Sequence, residues 1–270
     1  MQSSKNKSKS AEKTSAEVMT FFSTATAVGK TILAINCAAD LAERGYRVCV
    51  ADFDLQFGDV CNYMNVNPTK TLYDYSLLDK ERRNAKDFVL KTDFGFDILP
   101  CPNDLDEGFI MEAPPLVQAV GDLREAYDYV LVDTTTGFSG VNLALLEQTD
   151  VLYMPCVVDF IPSIKNLKLG LETLRKLQFD RDSIRLILIR NNSATMISVK
   201  DVEALLGRPF QYFISNDYQG MMKSIKEVRP VVLTEGKSKI ADDISEMMAS
   251  ELGEQTEGGG LAGWLGSLWK

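Results

Sequence analysis

The sequence contains no histidine. That removes the commonest general base and the commonest transition-metal ligand. Cysteine is present without a pattern: Cys37, Cys49, Cys61, Cys101 and Cys156 are scattered, with no C-x-x-C pair. Buried thiols in a reducing cytoplasm account for that spacing. Positive charge is in deficit, with 29 Lys and Arg against 38 Asp and Glu, a formal net charge of −9. Such a chain is poorly suited to non-specific nucleic-acid binding as its main activity, so no nucleic-acid partner is expected. No apolar run reaches the ~18 residues needed to span a bilayer. Residues 1 to 16 are polar throughout, so no signal peptide is expected there. No internal repeat is visible either.

What is present is an ordinary globular core composition, 45% hydrophobic over 270 residues. The apolar runs "EVMTFFS" (17 to 23), "YRVCVADFD" (46 to 54), "FDILPC" (96 to 101), "YDYVLVDT" (127 to 134), "DVLYMPCV" (150 to 157), "IRLILIR" (184 to 190) and "PFQYFIS" (209 to 215) read as strands. Helical spacing follows the first strand as far as Gly45, then recurs at 69 to 92, 114 to 126, 139 to 148, 162 to 178, 198 to 207, 217 to 227 and 239 to 252. Continuous apolar strands alternating with helices predict an α/β fold, a mostly parallel, doubly wound sheet with helices on both faces. The organisation expected is a Ser/Lys-rich disordered tail (1 to 16), one domain (17 to 252), a flexible polar linker (253 to 260) and a terminal amphipathic helix (261 to 270).

Active residues in such a fold gather at the carboxyl ends of the strands. After the first strand comes "TATAVGKT", which matches the helix-side half of G-x-x-x-x-G-K-[ST]. Backbone N–H groups of Thr26, Ala27, Val28 and Gly29 would wrap phosphates at the helix N-terminus. Lys30 would reach the β- and γ-phosphates, and the Thr31 hydroxyl would ligate Mg²⁺. The glycines expected upstream are replaced by Thr24 and its neighbours, which take glycine-like conformations only at a cost. The second strand ends in Asp52 and Asp54, with Gly58 and Asp59 close behind. An aspartate there can hold a Mg²⁺ water or orient an attacking water. The fourth run ends in Asp133, placed to support Mg²⁺ through Thr31 or a water, and Gly137 closes a loop suited to sensing a γ-phosphate.

Taken in order, these elements resemble the MinD/ParA group of deviant Walker ATPases. Within it, "DFDLQFGDV" (52 to 60) and "LGRPFQYFISNDYQGMMKSIKEVRPVV" (206 to 232) look most like the TadZ/CpaE branch. The resemblance spans residues 18 to 252. It implies a P-loop nucleotide-binding fold, ATP and Mg²⁺ as cofactors, a homodimer, and a cytoplasmic protein at the inner membrane face that helps localise or assemble a Tad-type pilus secretion system. It also implies Asp54 as the residue serving hydrolysis, Thr31, Asp54 and Asp133 at the metal, and Asn191 and Asn192 near the base. Several family positions differ. The signature lysine that reaches the partner's phosphates falls at Ala25, two glycines fall at Thr26 and Ala27, and prolines fall at Thr135 and Ser215. The asparagine near the base falls at Ile189. Without a cation at Ala25, nucleotide-driven pairing should weaken and turnover should be feeble or absent.

In "LAGWLGSLWK", Leu261, Trp264, Leu265, Leu268 and Trp269 fall on one helical stripe that holds both tryptophans of the chain. A membrane interface, a protein partner and the protein's own core are the three surfaces that such a stripe suits, the membrane first. Two other functions share the fold: an active MinD-like switch, which the loss of the signature lysine disfavours, and a metabolic enzyme or iron–sulfur reductase, which the scattered cysteines disfavour.

Overall fold

Apolar runs flanked by polar turns become the centre of one sheet. The computed structural model describes residues 15–191 and 197–254. Its strands are β1 (Glu17–Phe21), β2 (Val48–Phe53), β3 (Leu90–Lys91), β4 (Asp97–Leu99), β5 (Tyr129–Thr134), β6 (Val151–Cys156), β7 (Ile184–Ile189) and β8 (Tyr212–Ile214). They lie in the order β3-β4-β2-β5-β1-β6-β7-β8. All neighbours are parallel except β3 and β4. Every residue of β2, β5 and β6 is buried, which is why these runs are apolar on both faces.

Helices cover both faces. They are α1 (Lys30–Glu43), α2 (Val60–Tyr63), α3 (Leu72–Ser76), α4 (Leu105–Ile110), α5 (Ala113–Arg124), α6 (Gly140–Leu146), α7 (Ile161–Lys176), α8 (Val199–Leu206), α9 (Tyr218–Glu227) and α10 (Lys239–Glu251). Alternate strand residues sort between the faces. Met19, Phe21 and Tyr153 pack with Leu33 and Leu41 of α1 and Met247 and Met248 of α10. Val18 and Val132 pack with Leu116 and Val120 of α5, and Leu152 and Leu186 with Ile164 and Leu167 of α7.

The continuous helix expected over 69 to 92 does not form. That stretch holds α3, 3-10 turns at Lys80–Arg82 and Ala85–Phe88, and the edge strand β3. Long-range contacts outweigh its helical spacing. Asp122 of α5 accepts from the Tyr75 hydroxyl at 3.0 Å and from the Ala85 amide at 2.9 Å. The Asn84 side chain accepts from Lys86 N–H, a local bond that favours a turn. Two short helices, α2 and α4, appear where none was expected. The sheet order places β1 between β5 and β6: the chain leaves β1 toward β2 on one side and later crosses from β5 to β6 on the other. The crevice at its carboxyl end is where such folds place ligands.

Candidate functional site

Residues 22 to 29 run from the end of β1 into α1. Gly29 precedes the helix in the left-handed region, at φ 84°, and no side chain caps it. The first-turn amides of this 14-residue helix therefore face the crevice uncapped. Of the residues standing in for glycine, only Ala27 takes a positive φ, 57°. Thr24 and Thr26 avoid it. Ala27 pays roughly 1–2 kcal/mol for that conformation. The Ser23 hydroxyl donates to the Ala25 carbonyl at 2.8 Å and tightens the loop's first turn. A Cβ added at Gly170 of α7 would lie 2.5 Å from the Thr24 methyl. The absence of a side chain at 170 is what admits Thr24 against that helix.

The loop opens on a cleft of about 460 Å³ lined by Thr26 to Ile32 and, across from them, Asp54, Phe57, Asp59, Tyr63 and Thr136. Lys30 is only 8% exposed, and its Nζ lies 3.4 Å from Thr136 Oγ1. The Thr31 hydroxyl donates to Asp133 Oδ2 at 2.5 Å. Asp133 Oδ1 is buried with no partner. Burial raises the Asp133 carboxyl to about 7, against the pull of the Thr31 bond and the Lys30 ammonium. Asp52 lies beside Asp133 in the β2–β5 register and is fully buried. Burial first, and the Asp133 charge second, push it well above the usual carboxylate range.

The two aspartates ending β2 thus divide their roles. Asp52 accepts from the Asp54 and Val60 amides, each at 3.2 Å, and shapes the loop. Gly58 is pressed over it: a Cβ there would meet Cys101 Sγ at 2.3 Å and Asp52 Oδ2 at 2.7 Å. Asp54 lines the cleft. The loop after β5 is held by Asn142 of α6, whose amide donates to the carbonyls of Thr135 and Gly137 at 3.0 and 2.6 Å. An orphaned, buried carboxylate oxygen beside a threonine hydroxyl fits a hard cation with oxygen ligands. Thr31 and Asp133 would hold it, with Asp54 facing it across the cleft.

A second cavity, of about 310 Å³, meets the first at Ala27 to Gly29. Its walls are Ile189, Ile214, Met221 and Ile244, with Arg190, Asn216 and Asp217 at the polar side. Asn191 is exposed and its backbone amide donates to the Ile214 carbonyl at 3.0 Å, so it braces β8 and does not line the cavity. Asn192 and the stripe residues Leu261, Trp264, Leu265, Leu268 and Trp269 lie outside the described residues. Sequence reading missed Tyr63, Thr136, Arg190 and Asp217. Thr136 alone carried a signal, as part of the threonine run behind Asp133.

The family model described as AAA domain (AAA_31) matches residues 16–183. The chain belongs to this AAA-domain family. Its relatives are of the MinD/ParA/Soj kind. The chain is 32% identical over 190 residues to the chromosome-partitioning ATPase Soj of Thermus thermophilus, covering 68% of this chain and 72% of that one. It is 28% identical over 235 residues to the cell division protein PomZ of Myxococcus xanthus, covering 82% and 73%. Among solved structures, septum site-determining MinD complexed with Mg-ADP from Pyrococcus horikoshii OT3 superposes with a TM-score of 0.75. It is 20% identical and covers 87% of this chain and 96% of that one. That likeness establishes the fold. Against this AAA-domain background the thiols are inert. Four of the five cysteines are buried, and burial pushes Cys61 and Cys156 up to about 12. Ligation needs the thiolate, so an iron–sulfur site finds no support in them.

Proposed function

We propose that the protein binds Mg-ATP in the cleft between the residue 24–31 loop and Asp133, pairs with a second copy, and acts as a positioning factor with weak or no ATP hydrolysis. The observation that carries this reading is the Lys30–Thr31–Asp133 arrangement, with its buried, unpartnered carboxylate oxygen. In it Lys30 and the α1 amides bind the phosphates, and Thr31, Asp133 and Asp54 serve the cation. The adjoining cavity, with isoleucine walls and a polar edge, suits the base. Asp54 orients water for whatever turnover exists. Bound Mg²⁺ would neutralise phosphate charge. Phe57, Phe160 and Ile161 are 71%, 59% and 67% exposed near the strand ends, which favours an apolar face for pairing.

The finer reading is a role in localising or assembling a Tad-type pilus secretion system, at the inner membrane face. It is supported by the resemblance of residues 52 to 60 and 206 to 232 to TadZ/CpaE proteins. Neighbouring genes for a pilus-secretion ATPase and an inner-membrane platform are the expected context, and their absence removes the pilus assignment. Calorimetry tests the cleft: Mg-ATP should bind, and Lys30→Ala should abolish binding. No heat at millimolar Mg-ATP or Mg-ADP sinks the proposal. Turnover is tested by Ala25→Lys, which returns a cation to the loop. It should raise hydrolysis by roughly tenfold or more, and a wild-type rate already matching the variant would favour an active switch.

A further inference from the structure

At the opposite end of the sheet from the cleft, a cavity of about 290 Å³ opens between the end of α7 and the α8–β8 connection. Lys168, Arg175, Arg181 and Arg208 line it, against a single lining carboxylate, Glu172. Among the described residues, no ion pair engages any of the four cations. The nearby Asp180 carboxylate is occupied, accepting from Asp182 N–H and the Ser183 hydroxyl. Phe179, Ile184 and Leu206 give the cavity apolar walls.

Two of the guanidinium groups are fixed in place by backbone carbonyls. Arg181 donates to the Gly207 carbonyl at 3.0 Å, and Arg208 donates to the Ile184 carbonyl at 2.8 Å. Arg208 Nε is buried with no partner. Burial, with Arg181 and Arg185 nearby, makes the Arg208 cation less favourable than usual, and the Asp182 charge offsets this only in part. Four gathered cations in a chain of net charge −9 repel one another unless an anion joins them. Arginine's fork matches phosphate oxygens.

We propose that this cavity binds a phosphate ester with an apolar body, the chemistry shared by an anionic phospholipid headgroup and a phosphorylated small metabolite. The course of α10 favours the lipid. Ser238, at the start of α10, donates to Asp217 at 2.9 Å beside the carboxyl end of β8. At its other end Glu251 pairs with Arg185 at 2.8 Å, one residue from Ile184 of the cavity wall. So α10 delivers the chain to the cavity's pole, across the sheet from it. From Glu254 the sequence reaches Leu261 in seven steps, at most about 25 Å. Of the acids Glu251, Glu254 and Glu257 just before the tail, which disfavour anionic lipid, Glu251 is engaged with Arg185 and Glu254 with Arg44, and Glu257 lies outside the described residues. The choice of lipid rests on the membrane reading of the tail; the cavity itself does not.

The test uses the full chain carrying Lys30→Ala, so that the nucleotide cleft takes no phosphate. Dihexanoyl phosphatidic acid, below its micelle concentration, should bind and be displaced by inorganic phosphate. Arg175→Gln/Arg208→Gln should weaken it by roughly tenfold or more. Lys168→Gln/Arg175→Gln leaves the Arg208 bonds intact and should act in the same direction with an unchanged melting temperature. Pelleting with phosphatidylglycerol-containing vesicles, but not with pure phosphatidylcholine, should fall several-fold in the same variants. If the variants lose soluble lipid yet pellet as before, the site stands and its ligand is a free phosphorylated metabolite. If both variants bind phosphatidic acid like the parent, or phosphate does not compete, the proposal is overturned. Mg-ATP binding, measured with Lys30 restored, reports the cleft separately.

Discussion

Asp52 and Asp133 are buried carboxylates in register on neighbouring strands, and burial raises the pKa of both. Asp133 titrates near 7 in the fold, against 3.8 for a free aspartate, and burial is the main cause. Because its folded value is raised, the native state holds the proton through a window in which the unfolded chain has released it. Stability from this group is therefore present below pH 4 and is lost as pH rises through 7. Asp133→Asn removes the penalty. The variant should melt several degrees higher than wild type above pH 7, with the gain shrinking toward pH 4. It should at the same time lose Mg²⁺-dependent nucleotide binding. A thermal melt series against pH checks the first claim and calorimetry the second. A variant melting no higher than wild type above pH 7 would mean that Asp133 is comfortable in its site, and would weaken the case for a cation held there.

At the scale of elements, β1, β2, β5, β6 and β7 were legible because burial on both faces makes most of their residues apolar, with Asp52 and Asp133 the buried exceptions at the site. The loop after β1 was legible at its helix end, where Gly29, Lys30 and Thr31 have types that chemistry dictates. Its strand side was not. That Thr24 would pack on Gly170 depends on α7, about 140 residues away, and that Ala27 alone would bear the positive φ is a property of the folded loop with no signal in the residue types. The 69 to 92 region failed for the same reason, since Asp122 of α5 decides its turns. Asn142 is another case: an α6 residue with no motif fixes the loop behind Asp133. Asn142→Ala strips bonds from two part-buried carbonyls and should cost about 1–2 kcal/mol of stability. Chemical denaturation measures it. Mg-ATP affinity should fall as well, because Thr136 beside Lys30 is carried by that loop. A variant as stable as wild type would show that the loop is held by something other than Asn142.

Over the whole molecule, function separates into two poles. The carboxyl ends of the strands carry the cleft and its exposed apolar rim, and the amino ends receive the chain as it leaves α10. No described helix is long and apolar enough to cross a membrane. Residues 261 to 270 number ten, half of the ~20 that a spanning helix needs, so an attachment through them would be peripheral, and the proposed two-pole arrangement turns the cleft away from the lipid. A single weak lipid contact gives only marginal binding, and stable attachment takes two signals. Deleting residues 258 to 270 should thus abolish co-sedimentation with liposomes even with the basic cavity intact. It should leave the melting temperature and Mg-ATP affinity unchanged, because the Arg44–Glu254 and Arg185–Glu251 pairs that fasten α10 lie before the cut. A truncated protein that still pellets with vesicles would assign the tail's stripe to a protein partner or to the chain's own surface. The orientation carries its own consequence: vesicle-bound full-length protein should bind Mg-ATP as tightly as protein in solution. A large loss of affinity on vesicles would mean that the cleft faces the membrane, and the two-pole arrangement would fail.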